Sequence, residues 1–270
     1  MLKKLITVAA SVLMLSGLVA CNNQEQAAEE KVKVGAISGP ETELLETAKY
    51  VAKKQYNLDI EVVQFQDYVT PNAALADGTL DANAFQSIQY LDAAKASQGY
   101  DFVAVGKTFI YPMGIYSKQI KSLAELPKGS KVAIPNDPSN EERALLLLEK
   151  AGLLKLDHSS EPMTTRNIKE NPMNIEVVTL DAAQLPHALD DVALAAINTN
   201  YAVTAGYAPT KDALVVEGND SPYANVIVTR TELANDPRIL HLVAAYQSQE
   251  VIAKADELFK GQAIPAWVEK

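Results

Sequence analysis

The residue of this chain best placed to do binding chemistry is a single arginine near a polar turn. Arg143 falls in the first turns of a helix predicted after the Pro-Asn-Asp-Pro turn at 135–138, where the helix dipole disfavours a cation. One reason for this placement is a carboxylate in front of the side chain, since a guanidinium fork matches two carboxylate oxygens. The alternative is a solvated arginine beside Glu141 and Glu142. The stretch alone leaves both interpretations open.

The helix that carries Arg143 has two candidate starts. Ser139 and Glu142 have the spacing of a capping box, and Asp137 before Pro138 is a second possible N-cap. A short apolar strand at 132–134 precedes the turn, and the leucines at 145–148 predict a buried helix after it. The pattern is therefore strand, turn and helix, with the arginine near the start of the helix.

The other residues that could do chemistry form no catalytic or metal-binding pattern. The sequence has no Gly-x-Gly-x-x-Gly or Walker A loop and no Gly-x-Ser-x-Gly elbow. His158, His187 and His241 stand far apart, without the spacing of metal ligands. The paired carboxylates at 190–191 are predicted to cap a solvated turn. We therefore expect no enzyme, no metal and no cofactor.

The N-terminal segment Met1–Ala20 is distinct from the rest of the chain. Two lysines precede an apolar run at 5–18, which is short for a membrane span and is typical of a secretory signal. The run ends in Leu-Val-Ala-Cys, which resembles a bacterial lipoprotein signal with Cys21 as the lipidated residue; an ordinary signal with a chance cysteine is the alternative. Cys21 is the only cysteine, so neither a disulfide nor cysteine catalysis is available. Two or more acyl chains would anchor the protein to a membrane.

Composition favours a packed, acidic globular protein. The 270 residues are 48% hydrophobic and 21% charged, enough for roughly two lobes. The net charge is −10, and it becomes −12 when the two lysines of the signal segment are removed. Such a chain, without clusters of Lys and Arg, is not a nucleic-acid binder. The polar residues 21–31 predict a flexible tether.

Strand and helix patterns alternate along the chain, which predicts an α/β fold with parallel sheet. The predicted strands are 33–37, 58–65, 80–84, 102–105, 109–117, 132–134, 175–180, 192–197, 215–216 and 225–229. The predicted helices are 41–55, 70–77, 88–97, 122–126, 142–151, 184–189 and one or two within 237–259. The polar segment 156–174 is expected at the surface. A loose repeat between 62–85 and 177–198 suggests two lobes built from the same unit.

The order of these elements predicts how the lobes are divided. Lobe one comprises residues 32–108 and 225–270, and lobe two comprises residues 109–224. Two crossings between the lobes form a hinge, and the cleft between them is the expected binding site.

Several short motifs are typical of one family. They are FQDYVTPN at 65–72, DANAFQ at 81–86, FIYP at 109–112, IPNDP at 134–138, INT at 197–199, SPY at 221–223 and AAYQS at 244–248. With these motifs the chain resembles the NlpA family of methionine-binding lipoproteins, the substrate-binding subunits of methionine ABC importers. The resemblance covers nearly all of the chain after the signal segment. It implies a periplasmic-binding-protein-like fold, in which two α/β lobes close on one amino acid.

The resemblance also implies roles for individual residues. Arg143 would grip the ligand carboxylate, and Asn198 and Asn225 would bind the backbone groups of the ligand. Asparagine suits this role because it offers a carbonyl to an ammonium group and an amide to a carboxylate.

The side chain of the ligand would lie among aromatic rings. The resemblance places Tyr68, Phe85 and Tyr90 around it, whereas each ring taken alone is better explained by core packing. Aromatic edges suit a thioether, at about 0.3–1.5 kcal/mol per contact. This chain has Ser87 where the family commonly has a histidine. That change enlarges the pocket or admits water and removes a donor, so it bears on the choice of ligand.

The expected function is therefore capture of L-methionine or a close analogue and its delivery to an ABC permease with a separate ATPase. The lipid anchor would hold the protein on the extracytoplasmic side of a bacterial membrane. One alternative is another ligand, such as D-methionine, a methionine dipeptide or a different apolar amino acid. A second alternative is a surface lipoprotein that mainly adheres or signals.

Overall fold

The computed structural model describes residues 30–268. The predicted signal segment and Cys21 lie outside the described residues, as does most of the predicted tether. The first strand begins at Glu30 and pairs with a second strand from Leu58 onward. The tether was therefore predicted to end two residues too late, because Glu30 and Lys31 already belong to the sheet.

The order of the elements along the described chain is mostly strand then helix. The strands are β1 (Glu30–Ile37), β2 (Leu58–Phe65), β3 (Ala82–Ser87), β4 (Phe102–Ile110), β5 (Gly114–Tyr116), β6 (Lys131–Pro135), β7 (Lys155–Leu156), β8 (Ile168–Glu170), β9 (Glu176–Leu180), β10 (Leu194–Ile197), β11 (Ala213–Val216), β12 (Ala224–Arg230) and β13 (Ile264–Pro265). The helices are α1 (Pro40–Tyr56), α2 (Thr70–Ala76), α3 (Ile88–Gln98), α4 (Pro138–Lys150), α5 (Leu185–Ala188), α6 (Thr199–Thr204), α7 (Pro209–Asp212), α8 (Pro237–Tyr246) and α9 (Gln249–Phe259).

Two mixed sheets form the centres of two lobes. Lobe one has the strand order β13-β4-β12-β3-β1-β2, in which β1 runs parallel to β2 and β3 while β12 is antiparallel to β3 and β4. Lobe two has the order β11-β5-β10-β6-β9, in which β6 runs parallel to β9 and β10. Helices pack on each sheet and bury its apolar residues, as expected for an α/β fold.

The chain crosses between the sheets twice. The first crossing, residues 111–113, joins β4 to β5, and the second crossing, residues 217–223, joins β11 back to β12. A third apolar cluster includes residues of both lobes, among them Ile37 and Phe85 from lobe one and Leu185 and Ile197 from lobe two. The lobes therefore pack against each other as well as being joined by the crossings.

Three local predictions differ from the structure. β4 continues through Gly106, which pairs with Ile227 next to a register shift in the β4–β12 pairing, and its missing side chain leaves room for Val243. The N-cap of α4 is Asp137, whose carboxylate accepts from the Asn140 amide, so the capping box at Ser139 is wrong. Segment 156–174 contains β8, which pairs with β7, and it buries Met163, so only part of it is surface.

The turn between β1 and α1 requires a glycine. Gly39 has φ 114° and ψ −142°, a conformation that residues with a side chain rarely adopt. A Cβ atom there would lie 2.5 Å from Thr204 Oγ1, which belongs to α6 in lobe two. The turn thus combines backbone strain with a close approach of the two lobes.

We expect Gly39→Ala to lower the free energy of unfolding by about 1–3 kcal/mol, the cost of such a backbone conformation in a residue with a side chain. Gly78→Ala is the matched control, because Gly78 also has a positive φ, 81°, but has open space around it. Chemical denaturation of both variants measures the difference, and Thr204→Ala added to Gly39→Ala should recover part of the loss. Equal losses in the two single variants would contradict the close approach.

Candidate functional site

A cavity lies between the two lobes. Its interior volume is about 30 Å³, and the remaining atom-free space around it is open to solvent. It is lined by Glu41, Tyr68, Phe85, Gln86, Ser87, Tyr90, Tyr111, Asn140, Arg143, Asn198, Thr199, Asn200 and Asn225.

The topology explains why these residues meet. In α/β sheets the carboxyl ends of parallel strands meet at one edge, where ligands bind. Glu41 follows β1, Arg143 follows β6 and Asn198 follows β10 directly, so each lies at the carboxyl end of a parallel strand. The crossings place these edges of the two sheets opposite each other.

The cavity brings together every side chain that the sequence assigned to a ligand. Six other lining residues were missed: Glu41, Gln86, Tyr111, Asn140, Thr199 and Asn200. The rule about strand ends could have indicated several of them, because Glu41 stands after β1 just as Asn198 stands after β10.

Arg143 is buried and held on several sides. Its Nε and Nη2 donate to the two carboxylate oxygens of Glu217 at 2.8 and 2.6 Å, and Nη2 also donates to the carbonyl of Tyr111 at 2.8 Å. The Tyr223 ring stacks on the guanidinium, 4.6 Å from its central carbon. The hydrogen bonds within the described chain thus use Nε and Nη2, and Nη1 has no protein acceptor there.

This geometry answers the question that the sequence left open. Arg143 is not solvated beside Glu141 and Glu142, and a carboxylate does face its fork. That carboxylate, however, belongs to Glu217 in the second crossing rather than to a ligand. Glu217 and Tyr111 occupy Nε and Nη2, so a ligand carboxylate can bond the guanidinium only through Nη1.

Glu41 is a buried carboxylate without a cationic partner among residues 30–268. It is 3% exposed, near the N-terminus of α1, and accepts from Asn225 Nδ2 at 3.3 Å and from Asn200 Nδ2 at 3.5 Å. Burial raises the pKa of Glu41 well above its usual range. Buried charges are normally paired, so this carboxylate is either protonated or lacks a cation that a ligand could bring.

A second acceptor lies on the other side of the cavity. Asn198 is 8% exposed, and its Oδ1 has no hydrogen-bond partner among the described residues. Its Nδ2 donates to Asn140 Oδ1 at 2.8 Å, and Asn140 Nδ2 is in turn bound to the Asp137 carboxylate at 3.0 Å. The Asn198 amide is therefore fixed with its carbonyl oxygen unsatisfied, a state that costs free energy until a donor arrives.

Aromatic rings form the apolar wall. The Tyr68 ring centroid lies 5.9 Å from Phe85, 6.0 Å from Tyr90 and 5.0 Å from Tyr201 of lobe two. Tyr90 Oη donates to the Tyr68 carbonyl at 2.8 Å, and Tyr68 Oη donates across the cleft to Asn200 Oδ1 at 2.7 Å. Burial raises the pKa values of Tyr68 and Tyr90, so both phenols stay protonated donors.

Two further features shape this wall. Ser87 is the N-cap of α3, and its Oγ accepts from the Tyr90 amide at 3.2 Å. Behind the wall, the buried amides of Asn72, Asn83 and Gln86 bond one another at 2.7–3.0 Å and so join α2 to β3. This amide cluster fixes the strand that carries Phe85.

The arrangement can hold a small zwitterion with an apolar side chain. One guanidinium nitrogen suits an acid group, the oxygens of Asn198 and Glu41 suit an ammonium group, and aromatic edges suit a thioether or an alkyl chain. Among residues 30–268, no cluster of His, Cys, Asp and Glu is placed to hold a metal ion. No helix within the same residues is long and apolar enough to cross a membrane.

Comparison with known proteins gives consistent matches along the chain. The family model of the NlpA lipoprotein matches residues 32–267. The probable D-methionine-binding lipoprotein MetQ of Vibrio cholerae is 49% identical over 269 residues, which is 98% of each chain.

Solved structures agree with the sequence matches. The crystal structure of the methionine-binding protein MetQ is 50% identical, with a TM-score of 0.87 over 88% of this chain and 99% of that one. A nutrient-binding protein from Burkholderia cenocepacia bound to methionine is 47% identical, with a TM-score of 0.86 over 87% of this chain and all of that one. With its two-lobed fold and a match over nearly all of the described residues, this chain belongs to the NlpA lipoprotein family.

Proposed function

We propose that this protein captures methionine, or a close analogue, in the cleft between its lobes and delivers it to an ABC import permease. The observation that carries the proposal is one cavity between the lobes with a guanidinium nitrogen, an unsatisfied oxygen on Asn198, a buried Glu41 carboxylate without a cationic partner among residues 30–268, and an aromatic wall. Relatives of about half identity support it, because their names state D-methionine binding and one structure holds methionine.

The ammonium group of the ligand fits between the lobes. Glu41 belongs to lobe one and Asn198 to lobe two, and both line the cavity. A donor that bonds both oxygens would supply the missing cation to Glu41 and the missing partner to Asn198. Since it would contact both lobes at once, it would favour the closed form.

The remaining groups of the cavity bind the carboxylate and the side chain of the ligand. Nη1 of Arg143 donates to the ligand carboxylate, while Tyr68, Phe85 and Tyr90 surround the thioether. Asn225 acts from lobe one through Glu41, whose carboxylate it bonds. Micromolar affinity requires about −8 kcal/mol, which is within reach for a ligand of this size.

Anchoring of the protein to the membrane and closure of its lobes on the ligand both serve transport. The lipid on Cys21 keeps the protein near the membrane, on the extracytoplasmic face, and the closed form docks on a permease whose separate ATPase supplies the energy. A surface lipoprotein that only adheres or signals has no need of a cavity between its lobes that holds an unsatisfied amide oxygen and a carboxylate without a cationic partner among residues 30–268.

The first prediction concerns the ligand. L-methionine should bind the mature chain and raise its melting temperature, because a ligand that binds only the folded state stabilises it. Calorimetry measures the affinity, and competition with D-methionine, a methionine dipeptide and leucine ranks the alternatives. Absence of both heat and a melting shift with all four ligands would contradict the proposal.

The second prediction concerns Arg143. Arg143→Lys keeps a cation beside Glu217 but removes Nη1, so we expect methionine to bind at least about tenfold more weakly, as for the loss of one charged hydrogen bond. Arg166→Lys, at an exposed arginine of lobe two, is the control and should bind like the wild type. Unchanged affinity of Arg143→Lys for methionine would show that this guanidinium does not bind the ligand.

The third prediction concerns Glu41 and separates binding from stability. Glu41→Gln removes the charge that the ammonium needs, so methionine binding should weaken at least about tenfold. The same change relieves an unpaired buried carboxylate, so the ligand-free variant should be as stable as the wild type or more stable.

The advantage of the variant should grow with pH. The raised pKa of Glu41 means that the folded wild type holds this proton more tightly than the unfolded chain. The stability of the wild type therefore falls as pH rises from below about 4.5 through the raised value, and Glu41→Gln does not share this loss. Denaturation at a series of pH values measures the difference. Glu43→Gln, at an exposed residue in the same turn of α1, is the control, and identical pH profiles for wild type and Glu41→Gln would contradict the assignment.

A further inference from the structure

A carboxylate of the protein neutralises the cation of the binding site. Glu217 and Arg143 are joined by two hydrogen bonds of 2.8 and 2.6 Å, and their side chains are only 11% and 6% exposed. Opposite charges this close largely cancel for a third group nearby. The cavity therefore presents a hydrogen-bond donor on a neutral pair, rather than an unpaired cation.

Glu217 is itself held by both crossings. Its Oε2 accepts from the Met113 amide at 2.9 Å and from Ser221 Oγ at 3.3 Å, and its own amide donates to the Met113 carbonyl at 2.9 Å. Swinging the guanidinium fork toward a ligand would break its bonds to Glu217 and Tyr111 together. The fork is thus unavailable in this arrangement, and Nη1 alone is left for a ligand.

The side-chain amides near Arg143 add little positive charge where the ligand carboxylate would bind. Asn140 Nδ2 is bound to both carboxylate oxygens of Asp137, and Asn198 Nδ2 has given one of its two hydrogens to Asn140. The acid end of a ligand meets one charged nitrogen whose charge is matched by Glu217.

We propose that Glu217 determines ligand preference at the acid end of the cleft. By neutralising Arg143 and occupying its fork, it makes the site recognise the carboxylate chiefly as a hydrogen-bond acceptor. This site therefore tolerates a neutral carbonyl, as in an α-amino amide or ester, in place of the ligand carboxylate. A site with an unpaired arginine would tolerate this replacement less. This inference rests on the proposed function, since it concerns how the same cleft recognises its ligand.

Calorimetry with L-methionine and L-methioninamide, at a pH where both amino groups are protonated, tests the inference on the mature chain. The quantity measured is the ratio of the two Kd values, amide over acid. In Glu217→Gln the uncompensated guanidinium should favour the anion, so the ratio should rise at least about fivefold over the wild type. Asp220→Asn removes one charge from the same crossing at an exposed residue, and its ratio should equal that of the wild type.

A purely structural role for Glu217 gives a different result. Replacing Glu217 would then weaken the binding of both ligands by the same factor. The Kd ratio would stay unchanged, which would overturn the inference. Loss of one partner of a buried pair can also prevent folding, so Glu217→Ala is a second variant with the same expectation.

The wild type alone provides a further check. Its ratio should stay below about thirty, the scale of one hydrogen bond to a charged group, and a larger ratio would overturn the inference. If neither ligand bound the wild type, the proposed function itself would be contradicted. If methionine bound but the Kd ratios differed from those expected, only the role of Glu217 would be contradicted.

Discussion

Everything in the cleft depends on one constraint, which is that charge removed from water must be balanced nearby. An isolated ion inside a protein is so costly that it pairs or changes its protonation state. Arg143 satisfies the constraint within the chain, through Glu217. Glu41 does not, and Asn198 keeps an unsatisfied oxygen. The cavity is therefore internally balanced at one end and incomplete at the other, and the incomplete end is where a cationic group would be stabilised most.

The topology brings these groups together. Parallel strands in both sheets end at the edges that face the cleft, and the two crossings keep these edges opposite each other. The same crossings carry Glu217 and the Tyr111 carbonyl that hold the guanidinium. Arg143 therefore links the cavity to both crossings through its hydrogen bonds to Glu217 and to the Tyr111 carbonyl.

The sequence predicted the fold class, because alternating strands and helices leave few alternatives, and the motifs around Tyr68, Phe85 and Asn198 identified the family. It also predicted which arginine enters the cleft. It could not predict that the fork of Arg143 is already occupied, since Glu217 lies 74 residues away and resembles any acid in a polar turn. Glu41 was missed for a similar reason: an acid in the first turn of a helix is normally solvated, whereas this one is buried and bonded by the distant residues Asn200 and Asn225. Pairing across long separations is a property of the folded chain, not of a local pattern.

Ser87 differs from its neighbours in how it is held. Glu41, Asn198 and Arg143 are each tied to other segments by hydrogen bonds, whereas the bond that the structure gives Ser87 Oγ stays within its own helix cap. Such a cap contributes only about 1 kcal/mol, so this wall position can change residue while the polar framework stays assembled. Replacing Ser87 would therefore change the shape of the aromatic wall without removing any hydrogen bond of the groups that surround the polar end of the cavity.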